Sequence, residues 1–295
     1  MAEGHVPVLL KEVLSSLALR PGDDVIDATL GGGGHASAIL EATAPNGRLL
    51  GIEWDSRTLE ETRKTLERFG SRAMLVHGSY RNIDRLARAY GFPSVSGVLF
   101  DLGYSSFQID DPDRGFSLRR GGPLDMRYDA EHETTAADIV NGWPKPELIR
   151  ILREYGEERS AGRVAEAIVQ ARRRKPLTST FELAELVGRA IGRGKADKIH
   201  PATQTFQALR IAVNDELGNV ATALPDATKL LRPGGTLAVI SFHSLEDRIV
   251  KNFLKKTPEL EPLTKRPVVP SQEEIDLNPR SRSAKLRAAR REPHA

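Results

Sequence analysis

One short stretch near the amino terminus constrains the fold more than any other part of the chain. The run Asp27-Ala28-Thr29-Leu30-Gly31-Gly32-Gly33-Gly34-His35 follows the strand-like segment 24–26 and precedes the helix-like segment 36–41. It therefore predicts a strand, a glycine turn and a helix in succession. Four consecutive glycines carry no Cβ, so the backbone can bend sharply and approach a bound molecule closely. In open α/β sheets this geometry lies beside a nucleotide-like ligand.

The rest of the first hundred residues repeats the alternation of strand and helix. Apolar segments predict strands at 48–53, 73–76 and 95–101. Amphipathic segments predict helices at 8–17, 56–69 and 82–90. This alternation is typical of a doubly wound, mostly parallel, Rossmann-like α/β sheet.

The alternation then stops, and a helical insertion is predicted. Residues from about 109 to 200 contain no convincing strand pattern, and they predict helices at 145–155, 159–174 and 180–191. A strand pattern returns at 235–241, after a helical repeat of apolar residues between 206 and 224. We therefore expect three segments, which are the first part of the sheet domain (1–108), an all-helical insertion (109–200) and the second part of the sheet domain with a basic end (201–295).

Composition excludes several classes of protein. The 295 residues include no cysteine, which rules out disulfides, thiol catalysis and cysteine-ligated metal. There is no clustered set of histidine ligands, so we expect no metal. No apolar run approaches the roughly 20 residues of a membrane helix. The first residues lack the basic and apolar blocks of a secretory signal, so we expect a cytoplasmic protein that does not bind membranes.

Basic residues are concentrated in two clusters, although the net charge is only +3. The first cluster is 172–175, and the second comprises Arg280, Arg282, Lys285, Arg287, Arg290 and Arg291. Such clusters are typical of surfaces that contact phosphate, although a solvated helix face or tail has the same composition.

Polar residues stand at the ends of several predicted strands, where ligands of open α/β sheets bind. Glu53 lies 26 residues after Asp27 and can accept both hydroxyl hydrogens of a ribose. Enzymes that use nicotinamide or S-adenosylmethionine both employ such an acid. The glycines fit the dinucleotide pattern G-x-G-x-x-G poorly because Ala36 stands three positions after Gly33. A nicotinamide-dependent oxidoreductase nevertheless remains an alternative.

Motifs along nearly the whole chain resemble one family. They include the glycine run, Asp101-Leu102-Gly103-x-Ser105-Ser106-x-Gln108, Gly122-Pro123-Leu124-Asp125-Met126-Arg127, Tyr155-Gly156-Glu157-Glu158-Arg159, His200-Pro201-Ala202-Thr203-x-Thr205-Phe206-Gln207, Ser241-Phe242-His243-Ser244 and Asn278-Pro279-Arg280-Ser281-Arg282. In this order they resemble the MraW/RsmH family of 16S ribosomal RNA (cytosine-N4)-methyltransferases.

The resemblance implies S-adenosylmethionine as methyl donor and a P-site cytidine of small-subunit 16S rRNA as acceptor. The small ribosomal subunit is then the expected partner, and a homodimer is left open. Carried over by position, the cofactor contacts are Gly33, Gly34, His35, Glu53, Tyr80, Asp101 and Gln108. Glutamate at 53 stands where the family usually has aspartate, and tyrosine at 80 stands where it usually has phenylalanine.

Three residues are candidates for contact with the base that is methylated. Asp101, with the carbonyl groups of 102–103, could accept hydrogen bonds from the exocyclic amine, and Tyr104 could stack on the base. His243 follows the returning strand and could touch the substrate. Ser244 begins a sequence that fits a capping box, which predicts it as a helix N-cap. A non-catalytic RNA-binding protein with the same fold is the second alternative.

Overall fold

The computed structural model describes residues 7–118, 121–192 and 200–293. Helices, in chain order, are α1 (Leu10–Leu17), α2 (Gly34–Ala42), α3 (Ser56–Leu66), α4 (Ile83–Ala89), α5 (Ser106–Asp110), α6 (Ala136–Gly142), α7 (Lys145–Glu154), α8 (Ala161–Arg172), α9 (Thr180–Ile191), α10 (Thr203–Asn214), α11 (Glu216–Leu230), α12 (Ser244–Lys256) and α13 (Gln272–Leu277). The chain forms two compact units, of which the first combines Met1–Gly103 with Leu217–Ala295 and the second is Tyr104–Glu216.

A seven-stranded sheet forms the centre of the first unit. Its strands are β1 (Val25–Asp27), β2 (Leu49–Glu53), β3 (Ala73–His77), β4 (Val95–Asp101), β5 (Leu231–Ser241), β6 (Leu260–Pro262) and β7 (Lys285–Arg291). They lie in the order β3-β2-β1-β4-β5-β7-β6. The first five strands pair in parallel, and β7 pairs antiparallel with both of its neighbours, β5 and β6. The predicted doubly wound, mostly parallel α/β sheet is therefore confirmed.

Alternate side chains of the central strands enter two separate hydrophobic cores, one on each face of the sheet. In β4, Val98 and Phe100 pack in a core that includes residues of α4, α11 and α12. Leu99, between them, packs in the opposite core with residues of α1, α2 and α3. Burial on both faces explains why the sequence of β4 is apolar throughout rather than alternating.

The last strand, β7, was not predicted from the sequence. It lies between β5 and β6, with Leu286 and Ala288 buried on one of its faces. Lys285 and Arg287 hold the Asp247 carboxylate at 3.5 Å and 2.7 Å. The guanidinium of Arg291 donates to backbone carbonyl groups at the end of α11, including that of Lys229 at 3.2 Å. Part of the second basic cluster therefore serves the fold of the first unit.

The second unit is helical and comprises α5 to α10. Apart from an isolated bridge between Pro123 and Ser179, its described residues form no β-structure. It begins at Tyr104 rather than 109 and ends at Glu216 rather than 200. The later end follows because α10 contacts α6 and α7 and buries Phe206 and Leu209 within this unit. Throughout the described part of the chain, every helix is too short or too polar to span a bilayer.

Candidate active site

The glycine turn joins β1 to α2 in a conformation that requires glycine. Gly31 and Gly33 have φ angles of 49° and 76°, in the left-handed region that residues with a Cβ rarely adopt. A Cβ on Gly33 would lie 2.8 Å from Thr62 Cγ2, which is closer than real Cβ contacts. The Thr62 hydroxyl donates to the Gly31 carbonyl at 2.5 Å and fixes the turn against α3. The backbone on this turn is therefore tightly positioned.

Glu53 ends β2 and is bonded to the glycine turn. Its Oε2 accepts a hydrogen bond from the Gly31 amide at 2.9 Å, and its Oε1 accepts one from the Asp55 amide at 2.9 Å. Burial raises the pKa of Glu53 to about 7, although both amide bonds oppose that shift. Each carboxylate oxygen has a second lone pair, so the group can accept further hydrogen bonds.

Asp27 and Asp101 end the neighbouring strands β1 and β4, and Thr29 connects them. The Thr29 amide donates to Asp27 Oδ1 at 3.2 Å, while the Thr29 hydroxyl accepts from the Asp101 amide at 2.6 Å. Asp27 is 1% exposed, and this burial raises its pKa to about 7. Two strand ends are thereby fixed side by side.

Two buried acids, Asp27 and Glu246, act on the Asp101 carboxyl group. Burial, then the charges of Asp27 and Glu246, raise its pKa to about 8. Among the described residues, nothing forms a hydrogen bond with its buried Oδ1. Its Oδ2 lies 3.6 Å from Nδ1 of His35. One oxygen of this carboxyl group is thus available to a ligand.

His35 is the second residue of α2 and is 6% exposed. Its Nε2 lies 2.9 Å from the Val8 carbonyl oxygen. A carbonyl oxygen only accepts hydrogen bonds, so Nε2 carries a hydrogen. The ring is therefore oriented with Nδ1 toward Asp101.

His243 is the N-cap of α12, and the expectation that Ser244 has this role is wrong by one residue. His243 has an extended backbone with φ of −139° and ψ of 166°, and its side chain accepts from the Glu246 amide. Glu246 completes the box, since its Oε2 accepts from the amides of Phe242 and His243. His243 Nε2 lies 3.1 Å from Glu246 Oε1. Nδ1 of His243 therefore caps the helix, while Nε2 lies close to the buried carboxylate without forming a hydrogen bond to any described residue.

Tyr80 follows β3 and begins a 3-10 turn, Tyr80–Asn82. Its ring packs against Phe100 edge to face, with the ring centroids 5.7 Å apart. Tyr80 is half-buried, so part of the side chain remains accessible on the first unit.

The predicted site residues divide between the two units. In the first unit, the glycine turn, His35, Glu53, Asp101 and the residues after β5 stand at the carboxyl ends of the parallel strands. Gln108 and Tyr104 belong to the second unit. Gln108 is buried and completes a capping box, in which its Oε1 accepts from the Ser105 amide at 2.9 Å.

Tyr104 is 41% exposed and is held by a cation and an aromatic ring of its own unit. The Arg210 guanidinium carbon lies 4.7 Å from the Tyr104 ring centroid, and the Phe116 ring centroid lies 6.0 Å away. Arg210 is in turn fixed by two hydrogen bonds to the Glu216 carboxylate, at 2.8 Å and 3.0 Å. Tyr104 therefore presents an exposed aromatic surface that is flanked by Arg210 and Phe116.

Two residues of this region were assigned no role in the site from the sequence. Asp27 and Glu246 are each 1% exposed, and both act on the pKa of Asp101. The signal for Asp27 was its position directly before the glycine turn. Glu246 lies in the segment that predicted a capping box beginning at Ser244 but was given no role of its own, and its distance of 145 positions from Asp101 hides their proximity in the fold.

Known proteins match this chain over nearly its whole length. The family model described as the MraW methylase family matches residues 2–292. The ribosomal RNA small subunit methyltransferase H of Thermomicrobium roseum is 50% identical, over 98% of this chain and 94% of that protein. The protein of the same name from Carboxydothermus hydrogenoformans is 48% identical, over 98% of both chains. An rRNA methylase from Streptococcus thermophilus superposes with a TM-score of 0.47 at 11% identity, over 98% of this chain and 99% of that one. On the family match and the identity to these relatives, the chain belongs to the MraW methylase family.

Proposed function

We propose that this protein transfers a methyl group from S-adenosylmethionine to small-subunit ribosomal RNA. More finely, we propose that the acceptor is the exocyclic N4 amine of a cytidine in the P-site region of 16S rRNA. The family supports the reaction class, since relatives at up to 50% identity are named small subunit methyltransferases. The observation that carries the finer proposal is the buried Asp101 Oδ1, a hydrogen-bond acceptor at a strand end for which the described residues offer no donor.

The residues of the first unit suit a cofactor with a ribose and an amino-acid end. Glu53 has lone pairs left for ribose hydroxyl groups after its bonds to Gly31 and Asp55. The turn at Gly33 and Gly34 has no side chains, so its backbone can approach a ligand closely. The half-buried ring of Tyr80 can pack against an adenine. S-adenosylmethionine supplies a methyl group that its sulfonium already activates.

The acceptor amine is a poor nucleophile because its lone pair is delocalised into the cytosine ring. Asp101 can accept a hydrogen bond from this amine and so stabilise the positive charge that develops on nitrogen. Correct alignment of the reacting atoms can lower the barrier by about 7–11 kcal/mol. Tyr104 offers a stacking surface for an unpaired base. Because Nδ1 of His243 caps α12 and Nε2 lies 3.1 Å from Glu246 Oε1, we propose that His243 orients this acid rather than touching the substrate.

Small ribosomal subunits from a strain that lacks the gene provide the test. They are incubated with the purified protein and methyl-labelled S-adenosylmethionine, and nucleosides from the digested 16S rRNA are identified by mass spectrometry. Label in N4-methylcytidine, absent with Asp101→Asn, is expected. Label in another nucleoside would contradict the N4 assignment. Naked 16S rRNA is run in parallel, because it shows whether the assembled subunit is required.

The same purified protein and ribosomal subunits also distinguish the two alternative functions. A nicotinamide-dependent oxidoreductase would bind a nicotinamide cofactor and label no RNA. A non-catalytic RNA-binding protein would retain subunits on a filter without methylating them. We further propose that the protein acts in the cytoplasm. Homodimer formation stays a prediction, which sedimentation analysis can decide.

A further inference from the structure

The contact between Asp101 and His35 has a consequence for the proton that methylation must remove. An amine that gains a methyl group has to lose a hydrogen ion. We propose that His35 receives this proton through the carboxyl group of Asp101, so that the two side chains act as a relay. His35 is then a positioning residue that acts through Asp101. The inference rests on the proposed methylation of an amine.

The hydrogen on His35 is fixed by the fold. The Val8 carbonyl oxygen lies 2.9 Å from Nε2 and can only accept, so the hydrogen of the neutral ring is on Nε2. Nδ1 then carries a lone pair, and it faces Asp101 Oδ2 at 3.6 Å. This distance is longer than a hydrogen bond. Contacts of this kind are commonly long in free enzymes and shorten when the substrate is bound.

The segment that holds Val8 is itself held in place. Leu9 is fully buried and has a left-handed backbone, with φ of 54° and ψ of 35°. Its amide donates to Glu274 Oε1 of α13 at 2.7 Å. A residue with a Cβ is strained in this conformation, so surrounding contacts must stabilise it. The carbonyl group that selects the histidine tautomer is therefore part of a constrained turn.

The groups around Asp101 favour its protonated form. Asp27 at the end of β1 and Glu246 in α12 are buried acids that act on it, and His35 of α2 faces it from the third side. Together with burial, the two acids raise the pKa of Asp101 to about 8. Near pH 7 Asp101 is thus mainly a carboxylic acid, and the relay requires its hydrogen to be on Oδ2, the oxygen that faces His35 Nδ1.

Each bond that breaks in the relay is matched by one that forms. As the N–C bond to the methyl group forms and the S–C bond breaks, the amine N–H bond breaks and the hydrogen ion binds Asp101 Oδ1. At the same time the Oδ2–H bond breaks, and that hydrogen ion binds His35 Nδ1. Asp101 stays neutral, and the positive charge that was on sulfur ends on the imidazolium. The relay explains how a protonated carboxyl group can still take up a proton.

His35→Gln tests the relay, because the glutamine amide can still donate to the Val8 carbonyl group but cannot accept a proton at the position of Nδ1. Single-turnover methyl transfer is measured at saturating cofactor between pH 7 and pH 8. Without the relay only ionised Asp101 can act, so the variant rate should rise about fivefold over this interval, as a pKa of about 8 requires. The wild-type rate should change less than twofold. Equal pH dependence in the two proteins would overturn the relay.

His77→Gln is the matched control. His77 Nε2 also lies 2.9 Å from a backbone carbonyl oxygen, that of Trp54, and the residue is exposed. Its substitution should leave the pH profile unchanged. If His77→Gln reproduces the effect of His35→Gln, the effect is not specific to the relay.

Infrared spectroscopy of the protein alone gives a readout that does not depend on methylation. The difference spectrum between pH 7 and pH 9 should contain a carboxylic-acid band that is missing in Asp101→Asn and shifted in His35→Gln. Asp27 and Glu53 also titrate in this range, so the Asp101→Asn spectrum is subtracted. No band from Asp101 would refute the relay even if methylation occurs. A shifted band without any methylation of ribosomal RNA would instead show that the proposed function is wrong.

Discussion

Glu53 is expected to bind the cofactor at a cost in stability, and Glu53→Gln separates the two effects. Burial raises its pKa from 4.5 to about 7, so the folded protein retains a proton that the unfolded chain releases. Stability from this group is present below pH 4.5 and is lost as pH rises through 7. Between pH 5 and pH 8 the wild type should therefore lose about 2–3 kcal/mol relative to the glutamine variant.

The quantity to measure is the stability difference between wild type and Glu53→Gln, and how it changes from pH 5 to pH 8. Glutamine places an NH₂ group opposite either the Gly31 or the Asp55 amide, and this lost bond lowers stability at every pH. That penalty cancels when the stability difference at pH 5 is subtracted from the difference at pH 8. Urea unfolding, without cofactor, followed by tryptophan fluorescence measures both. The chain has two tryptophans, so a Trp143→Phe background leaves Trp54, beside Glu53, as the probe.

Cofactor affinity provides the second half of this prediction. A hydrogen bond to a charged group contributes about 1.5–3 kcal/mol. Calorimetry at pH 8 should therefore show a dissociation constant for S-adenosylmethionine about 10- to 150-fold higher in Glu53→Gln. Glu61→Gln, an exposed glutamate paired with Lys64 in α3, is the control. Equal affinity in wild type and Glu53→Gln would remove the ribose assignment, while an unchanged stability difference between pH 5 and pH 8 would refute the burial argument.

Three further outcomes are expected. Gly33→Ala should lower the free energy of unfolding by about 1–3 kcal/mol more than Gly70→Ala, because both have positive φ but only Gly33 has a side chain 2.8 Å from the new Cβ; equal losses would contradict the clash. His243→Ala should lower the free energy of unfolding by about 1 kcal/mol and lose turnover, whereas His243→Asn should keep both, since asparagine also caps helices. A His243→Asn protein that is stable but inactive would indicate that His243 contacts the substrate instead. Neutralising 173–175 should flatten the salt dependence of RNA binding by about 0.7–0.9 in log–log slope per phosphate contact, with cofactor affinity unchanged; an unaltered slope would place the RNA contacts elsewhere.

Arg172 is left intact in that last experiment because the structure gives it a different role. Its guanidinium donates to the Val140 carbonyl oxygen at 2.8 Å, within the second unit. The neighbouring Arg173 and Arg174 are exposed, and Lys175 forms an exposed ion pair with Glu182 at 3.2 Å. Charge density in the sequence identified the cluster but could not show which of its members fixes a helix.

Sequence patterns predicted strands that are buried on both faces, because such strands are apolar throughout. Strand β4 was predicted with its observed bounds, Val95–Asp101, because both faces are buried and the segment is apolar throughout. Strand β7 was missed because four of its seven residues, 285–291, are basic. The sequence signal for this strand was the alternation of the apolar residues Leu286 and Ala288, which are buried, with the basic residues Lys285 and Arg287. The charged members of that pattern bind Asp247, a partner that no local pattern reveals.

The arrangement of acids at the strand ends was beyond sequence reasoning for a different reason. Asp27, Asp101 and the residues after β5 are far apart in the chain, and only the order β1-β4-β5 places these strand ends next to one another. Asp27 and Asp101, whose pKa values are raised, each destabilise the fold as the pH rises toward 8. The packing of both sheet faces must offset this loss. Amides at these positions should therefore give a protein that is more stable at pH 8 and less active, which is the relation expected when acids are kept for chemistry rather than for folding.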